Sequence, residues 1–151
     1  MNGDSLSVRF LNEALAERGT NLRVKLMNIG PVLLVEDDDN DALLVKLLFN
    51  LTDVKLDHVT NGRLAIEAIE KKRYALVLLD MRLPDMSGIE VLKHARRTSP
   101  QVHVVILTGS LTPRLEDEVR EVGYFGVCLK PLTKSNILDI LLTHRMVEIA
   151  V

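Results

Sequence analysis

Ala75-Leu76-Val77-Leu78-Leu79-Asp80 sets five apolar residues in a row and closes them with an acid. A continuous apolar run of this length suits the central strand of a parallel sheet, covered by helices on both faces. Two other runs end in functional groups. Val32-Leu33-Leu34-Val35 leads into Glu36-Asp37, and Val127-Cys128-Leu129 leads into Lys130-Pro131. In an open parallel sheet the carboxyl ends of the strands share one edge, which is where ligands bind. The pattern thus gathers Glu36, Asp37, Asp80 and Lys130 into one acidic cleft with a single lysine, a site suited to phosphate and metal.

Outward from that strand, short apolar runs alternate with amphipathic stretches of helical period. Strands are predicted at 32–36, 56–59, 75–79, 102–107 and 125–129, and helices at 39–50, 64–72, 87–97, 113–122 and 134–147. Asn61-Gly62 marks a turn, Pro113 suits a first helical turn, and Gly123 suits a C-cap. The unit is βα repeated five times from Gly30 onward, which predicts an α/β domain over 30–151. Its sheet is parallel, with right-handed crossovers and helices on both faces.

Residues 1–29 stand outside the repeat as an N-terminal extension. Asp4 or Ser5 could cap a helix carrying Leu6, Val8, Phe10, Leu11, Ala14 and Leu15 and ended by Gly19. Residues 22–26 then alternate like a half-buried strand. Two readings stay open, an ordered extension at a subunit contact and a flexible leader.

Composition narrows the functional classes. A chain of 151 residues supports one domain with a sizeable core. A net charge of −2 argues against general attraction to nucleic acid or anionic lipid. The single cysteine, Cys128, cannot close an internal disulfide. No apolar run reaches the roughly 18 to 20 residues of a membrane span, and the first 26 residues lack a signal-peptide core. A cytoplasmic protein is the expectation.

At the strand ends, two carboxylates about 5 Å apart repel by about 3 kcal/mol at an effective dielectric near 20. Protons, a lysine or a divalent cation must compensate such a cluster. Hard carboxylate oxygens suit Mg²⁺, and a carboxylate so placed can attack phosphorus. Asp38, Asp39 and Asp41 read as helix-capping acids only. Asp80 does not, because the next predicted helix starts several residues later.

Val35-Glu36-Asp37, the stretch from Leu79-Asp80 through Ser87-Gly88, Leu107-Thr108-Gly109-Ser110 and Leu129-Lys130-Pro131 together resemble the receiver domain of two-component response regulators. The resemblance runs from Gly30 to about Val147. It implies a flavodoxin-like, doubly wound (βα)5 sheet of strand order 2-1-3-4-5, of the stand-alone type similar to the chemotaxis regulator. By the same resemblance Asp80 is the phosphoacceptor, and Asp37 and Asp80 ligate Mg²⁺. The Arg82 carbonyl is a third ligand, with Glu36 acting mainly through water. Lys130 pairs with the phosphoryl oxygens, Thr108 swings toward the phosphate, and Lys130-Pro131 is cis. The donor is a sensor histidine kinase or a histidine phosphotransfer protein, and output passes to a downstream protein.

One departure stands out. The family carries an aromatic residue three positions before the lysine, where this chain has Val127, while Tyr124 and Phe125 fall out of register with that position. Arg82, bulky and charged two residues after Asp80, is expected to slow attack of water on an aspartyl phosphate. Lys71-Lys72-Arg73 and Arg96-Arg97 sit at predicted helix C-termini, where they complement the macrodipole, so no nucleic-acid contact is expected. The four histidines share no metal-ligand spacing. The last helix has more apolar positions than one core-facing stripe needs. It predicts either deep burial or a contact with a partner or second subunit, and a homodimer could use this helix or the extension.

The expectation is a phosphorylation-controlled switch rather than a turnover enzyme, either stand-alone or excised from a larger sensor kinase or multidomain regulator. A haloacid-dehalogenase-type phosphatase would need an acid where Arg82 stands. A flavodoxin-like FMN binder would need a phosphate-cradling loop where Glu36-Asp37-Asp38-Asp39 stands.

Overall fold

The computed structural model describes residues 6–26, 30–52, 54–124, 126–144 and 147–150. Its elements run α1 (Leu6–Glu17), β1 (Arg23–Leu26), β2 (Val32–Val35), α2 (Asp39–Asn50), β3 (Leu56–Val59), α3 (Gly62–Lys71) and β4 (Leu76–Asp80). There follow α4 (Gly88–Thr98), β5 (His103–Thr108), α5 (Pro113–Val122), β6 (Gly126–Leu129), α6 (Lys134–Thr143) and β7 (Val147–Ala150). Five parallel strands form the main sheet in the order β3-β2-β4-β5-β6. Numbered within the βα repeat alone, that order is 2-1-3-4-5.

Strand alternation builds two cores. Leu34, Leu78, Leu107 and Cys128 point to one face, beneath α1, α2 and α6. Leu33, Val35, Val77, Leu79 and Ile106 point to the other, beneath α3, α4 and α5. Each helix of the repeat starts on a capping side chain. Asp38, Asn61, Ser87, Thr112 and Thr133 each accept a backbone N–H from the first turn, satisfying a donor that the helix itself leaves unpaired. Among the described residues, no helix is long and apolar enough to cross a membrane.

Register sets the site. Val35 lies opposite Leu79, Asp80 opposite Leu107, and Thr108 opposite Leu129. Glu36, Asp80, Thr108 and Lys130 therefore leave the sheet along a single edge.

The extension is built into this frame. Phe10, Leu11, Ala14 and Leu15 of α1 are buried in the same cluster as Ile137, Leu138 and Leu141 of α6. Arg18 pairs with Asp139 at 2.8 Å and Lys134 with Glu13 at 3.0 Å. Gly19, at φ 74°, turns the chain out of α1. β1 then runs antiparallel to β7, Arg23 opposite Ala150 and Leu26 opposite Val147. Asp4 and Ser5, the expected caps of α1, lie outside the described residues.

The last helix corrects its expectation. It ends at Thr143 rather than 147, and the chain returns as a strand because β1 offers an edge to pair with. Its surplus apolar surface is covered by α1 of the same chain. Met146, Val151 and Phe125 lie outside the described residues. Strand boundaries elsewhere shift by a residue, β4 reaching Asp80 itself.

Candidate functional site

An open cleft of about 730 Å³ lies at the carboxyl edge of β2, β4, β5 and β6. Glu36, Asp37, Asp80, Arg82, Thr108 and Lys130 all line it. Sequence reasoning named every one of these. The strands deliver Glu36 and Asp80 nearly buried, at 1% and 6% exposure, while Asp37 is exposed.

One carboxylate oxygen from each of Glu36, Asp37 and Asp80 lies within 4.8 Å of the others. Lys130 Nζ stands 2.7 Å from Glu36 Oε2 and 3.4 Å from Asp80 Oδ2. The other Asp80 oxygen, Oδ1, accepts the Arg82 N–H at 3.2 Å. Glu36 Oε1 accepts the Asp38 N–H at 3.2 Å. Burial pushes Glu36 up, the Lys130 hydrogen bond pulls it down and the charge of Asp80 pushes it up again, to about 7. For Lys130 burial acts downward, but hydrogen bonds to Glu36 and Asp41 and the field of Asp80 outweigh it and hold the ammonium charged. The Lys130-Pro131 bond is cis.

The loop after Asp80 is held from three sides. Arg82 and Ser87 form a bridge, the Gly88 N–H donates to the Met81 carbonyl at 2.9 Å, and Asp85 reaches across to α3. There its carboxylate accepts the N–H groups of Gly62 and Arg63 at 2.8 and 2.9 Å. Those two bonds hold the Asp85 carboxyl below the usual range.

Thr108 is buried, and its hydroxyl donates to the Ser110 carbonyl at 2.8 Å and accepts the Ser110 N–H at 3.2 Å. Val127 lies opposite Ile106 and is partly buried in the second core cluster. No ring therefore stands at the position three residues before the lysine. Leu129 beside it is exposed.

Two acids read from the sequence only as capping residues, Asp38 and Asp41, line the cleft as well. Asp38 is the cap of α2, and it accepts the Asp41 N–H at 2.9 Å. Asp41 instead sends its carboxylate to Lys130, 3.0 Å away. Its place four residues after Asp37, in the first turn of a helix rising from the strand ends, was the available signal.

The donor set fits a hard divalent cation. Carboxylate oxygens converge without a sulfur or imidazole among them, and the surrounding acids outnumber Lys130 and Arg82.

Residues 32–142 match the response regulator receiver domain, and the chain belongs to that family. Over 108 residues it is 32% identical to sporulation initiation phosphotransferase F of Bacillus subtilis, an alignment covering 72% of this chain and 87% of that protein. Over 133 residues it is 30% identical to the sensor protein EvgS of Escherichia coli, covering 87% of this chain and 10% of that longer protein. The fold matches the receiver domain of the sensor histidine kinase PA1611 from Pseudomonas aeruginosa, solved with a magnesium ion coordinated in its active site cleft. That match has a TM-score of 0.70 at 22% identity and covers 78% of this chain and 96% of that one.

Proposed function

We propose that Asp80 accepts a phosphoryl group from the phosphohistidine of a sensor histidine kinase or a histidine phosphotransfer protein. The observation that carries this reading is the buried Asp80 carboxylate, one oxygen 3.4 Å from the Lys130 ammonium, at the mouth of an acidic cleft. An Asp80 oxygen forms the new bond to phosphorus as the P–N bond breaks. The electron pair of that bond returns to the imidazole nitrogen of the donor. Lys130 acts as a point charge that follows the phosphoryl oxygens.

Asp37, Asp80 and the Arg82 carbonyl would hold Mg²⁺, with Glu36 close by. When bound, the ion supplies positive charge that offsets the clustered carboxylates and the transferring group.

The new charge at Asp80, about −1.5 to −2, offers the Thr108 hydroxyl an alternative to the Ser110 carbonyl. Exchange between those two partners is the switch we assign to β5. With Val127 in place of a ring, the change passes to the α5 side through the core cluster against which Leu115 and Val127 both pack. Output is a change in affinity for a protein partner, not product turnover.

On α2 and its C-cap, Leu43, Leu47 and Leu51 are exposed at a spacing of four. They form an apolar stripe that starts half a turn beyond Asp41. We assign this exposed stripe to docking of the donor protein.

The experiment is incubation of the full chain with acetyl phosphate and Mg²⁺, read by intact mass. Wild type is expected to gain one phosphoryl group and Asp80→Ala none. Equal labelling of the two proteins, or no labelling of wild type, would overturn the proposal.

A further inference from the structure

Lys130 carries three N–H donors, and three carboxylates surround them. The two shorter contacts, 2.7 Å to Glu36 and 3.0 Å to Asp41, go to groups that do not accept the phosphoryl. The longest, 3.4 Å, goes to the one that does. Asp41 reaches Lys130 across 89 residues of sequence. Helix capping does not require this, since Asp38 already caps α2 and Asp39 already places an acid in the first turn.

The surroundings favour the pair. Leu44, Val45, Leu107 and Leu132 line a small hollow beside Asp41 and Lys130, so one side of the contact faces apolar groups rather than water. The Asp41 side chain keeps 39% of its exposure on the other side. Solvent there keeps the attraction modest. A contact with those properties can hold the ammonium at rest and still release it.

We propose that Asp41 is a positioning residue that tethers Lys130, so that a phosphoryl group arriving at Asp80 must draw the ammonium away from it. The inference rests on Asp80 being the phosphoacceptor. Asp41 and the incoming group compete for the same donor, so Asp41 sets how readily Lys130 answers. Loss of the Asp41 charge leaves the ammonium to Glu36 and Asp80 and free to turn toward the cleft.

The test compares the full chain with Asp41→Asn, Asp41→Glu and Asp39→Asn, the last removing the same formal charge from the same helical turn. Phosphorylation by acetyl phosphate is followed by intact mass over a range of donor concentrations at saturating Mg²⁺. Asp41→Asn is expected to lower the half-saturating donor concentration about two- to fivefold, the upper part of the range of a partly exposed ion pair. Asp39→Asn should change it less than twofold, and Asp41→Glu should restore the wild-type value.

A second readout does not depend on phosphorylation. The ¹⁵N signal of the Lys130 ammonium in metal-free protein should show slow proton exchange in wild type and Asp41→Glu, and fast exchange in Asp41→Asn. If Asp41→Asn matches Asp39→Asn in either measurement, the tether is refuted while the phosphoacceptor reading stands. If wild type takes no phosphoryl group, the phosphoacceptor reading falls and the competition between Asp41 and the phosphoryl group falls with it.

Discussion

A Cβ built on Gly88 would sit 2.5 Å from the Asp80 carbonyl oxygen and 2.8 Å from the Met81 Cα, both of them backbone atoms. The start of α4 is thus seated directly on the end of β4, and the loop carrying Arg82 is closed by that contact. Gly88→Ala is expected to destabilise the fold by about 1–3 kcal/mol through overpacking. Gly109→Ala, where nothing lies within 4 Å, should be near neutral. Urea denaturation of both variants checks this, and equal midpoints would contradict the close approach.

Leu11 of α1 is fully buried in the cluster that includes α6, whereas Leu43 of α2 is 55% exposed. Leu11→Ala should cost about 2–5 kcal/mol through lost burial and a residual cavity, and Leu43→Ala less than about 0.5 kcal/mol. A single cooperative transition in both proteins would mark the extension as part of one folding unit. A neutral Leu11→Ala would show that α1 contributes nothing to the core.

Arg82 is exposed and lines the cleft beside Asp80. We expect it to hinder the approach of water to a phosphorylated Asp80. Arg82→Ala should shorten the phosphoryl half-life about three- to tenfold, a change of roughly 0.7–1.4 kcal/mol in the barrier. Decay of the phosphorylated mass after removal of donor measures it, and an unchanged half-life would refute the role.

If the leucine stripe of α2 receives the donor protein, Leu47→Asp should slow transfer from a phosphohistidine protein by more than about tenfold, as expected for an apolar contact turned into a charge. Phosphorylation by acetyl phosphate, which needs no docking, should be unchanged. Equal slowing with both donors would locate the effect in the cleft instead.

His144 at the end of α6 is buried beside His103 of β5. Burial, then the neighbouring ring, lowers it from 6.5 to about 4. The fold therefore favours neutral His144. That contribution is complete above about pH 6.5 and is lost as the pH falls toward 4, where the unfolded chain binds the proton first. The loss amounts to about 3 kcal/mol once the histidine is protonated in both states. Glu36, pushed up to about 7, contributes with the opposite sign over a similar range. The difference between wild type and His144→Gln isolates the histidine. Denaturation midpoints from pH 4 to 7 should converge as the pH falls, and a constant gap would reject the account.

Much of the site was legible in the sequence because its residues sit at the ends of runs whose character is local. Five apolar residues before Asp80 specify a strand buried on both faces, whatever lies elsewhere in the chain. Once the repeat of strand and helix is recognised, handed crossovers leave few sheet orders, and strand ends fall on one edge. Glu36, Asp37, Asp80 and Lys130 needed no more than that, whereas Thr108 entered only through the resemblance to receiver domains. Asp41 escaped because an acid in a first helical turn already has a sufficient local reason to be there.

What the sequence determined by itself was the βα frame and the chemical groups along its carboxyl edge, since both follow from periodicities and from which residue ends each strand. The tertiary structure alone decided that α1 would cover α6, that β7 would pair with β1, and that Asp41 would hold Lys130. Each depends on which apolar face, open edge or uncompensated charge is left over after the sheet has formed. Such remainders belong to the assembled fold and are carried by no single segment of the chain.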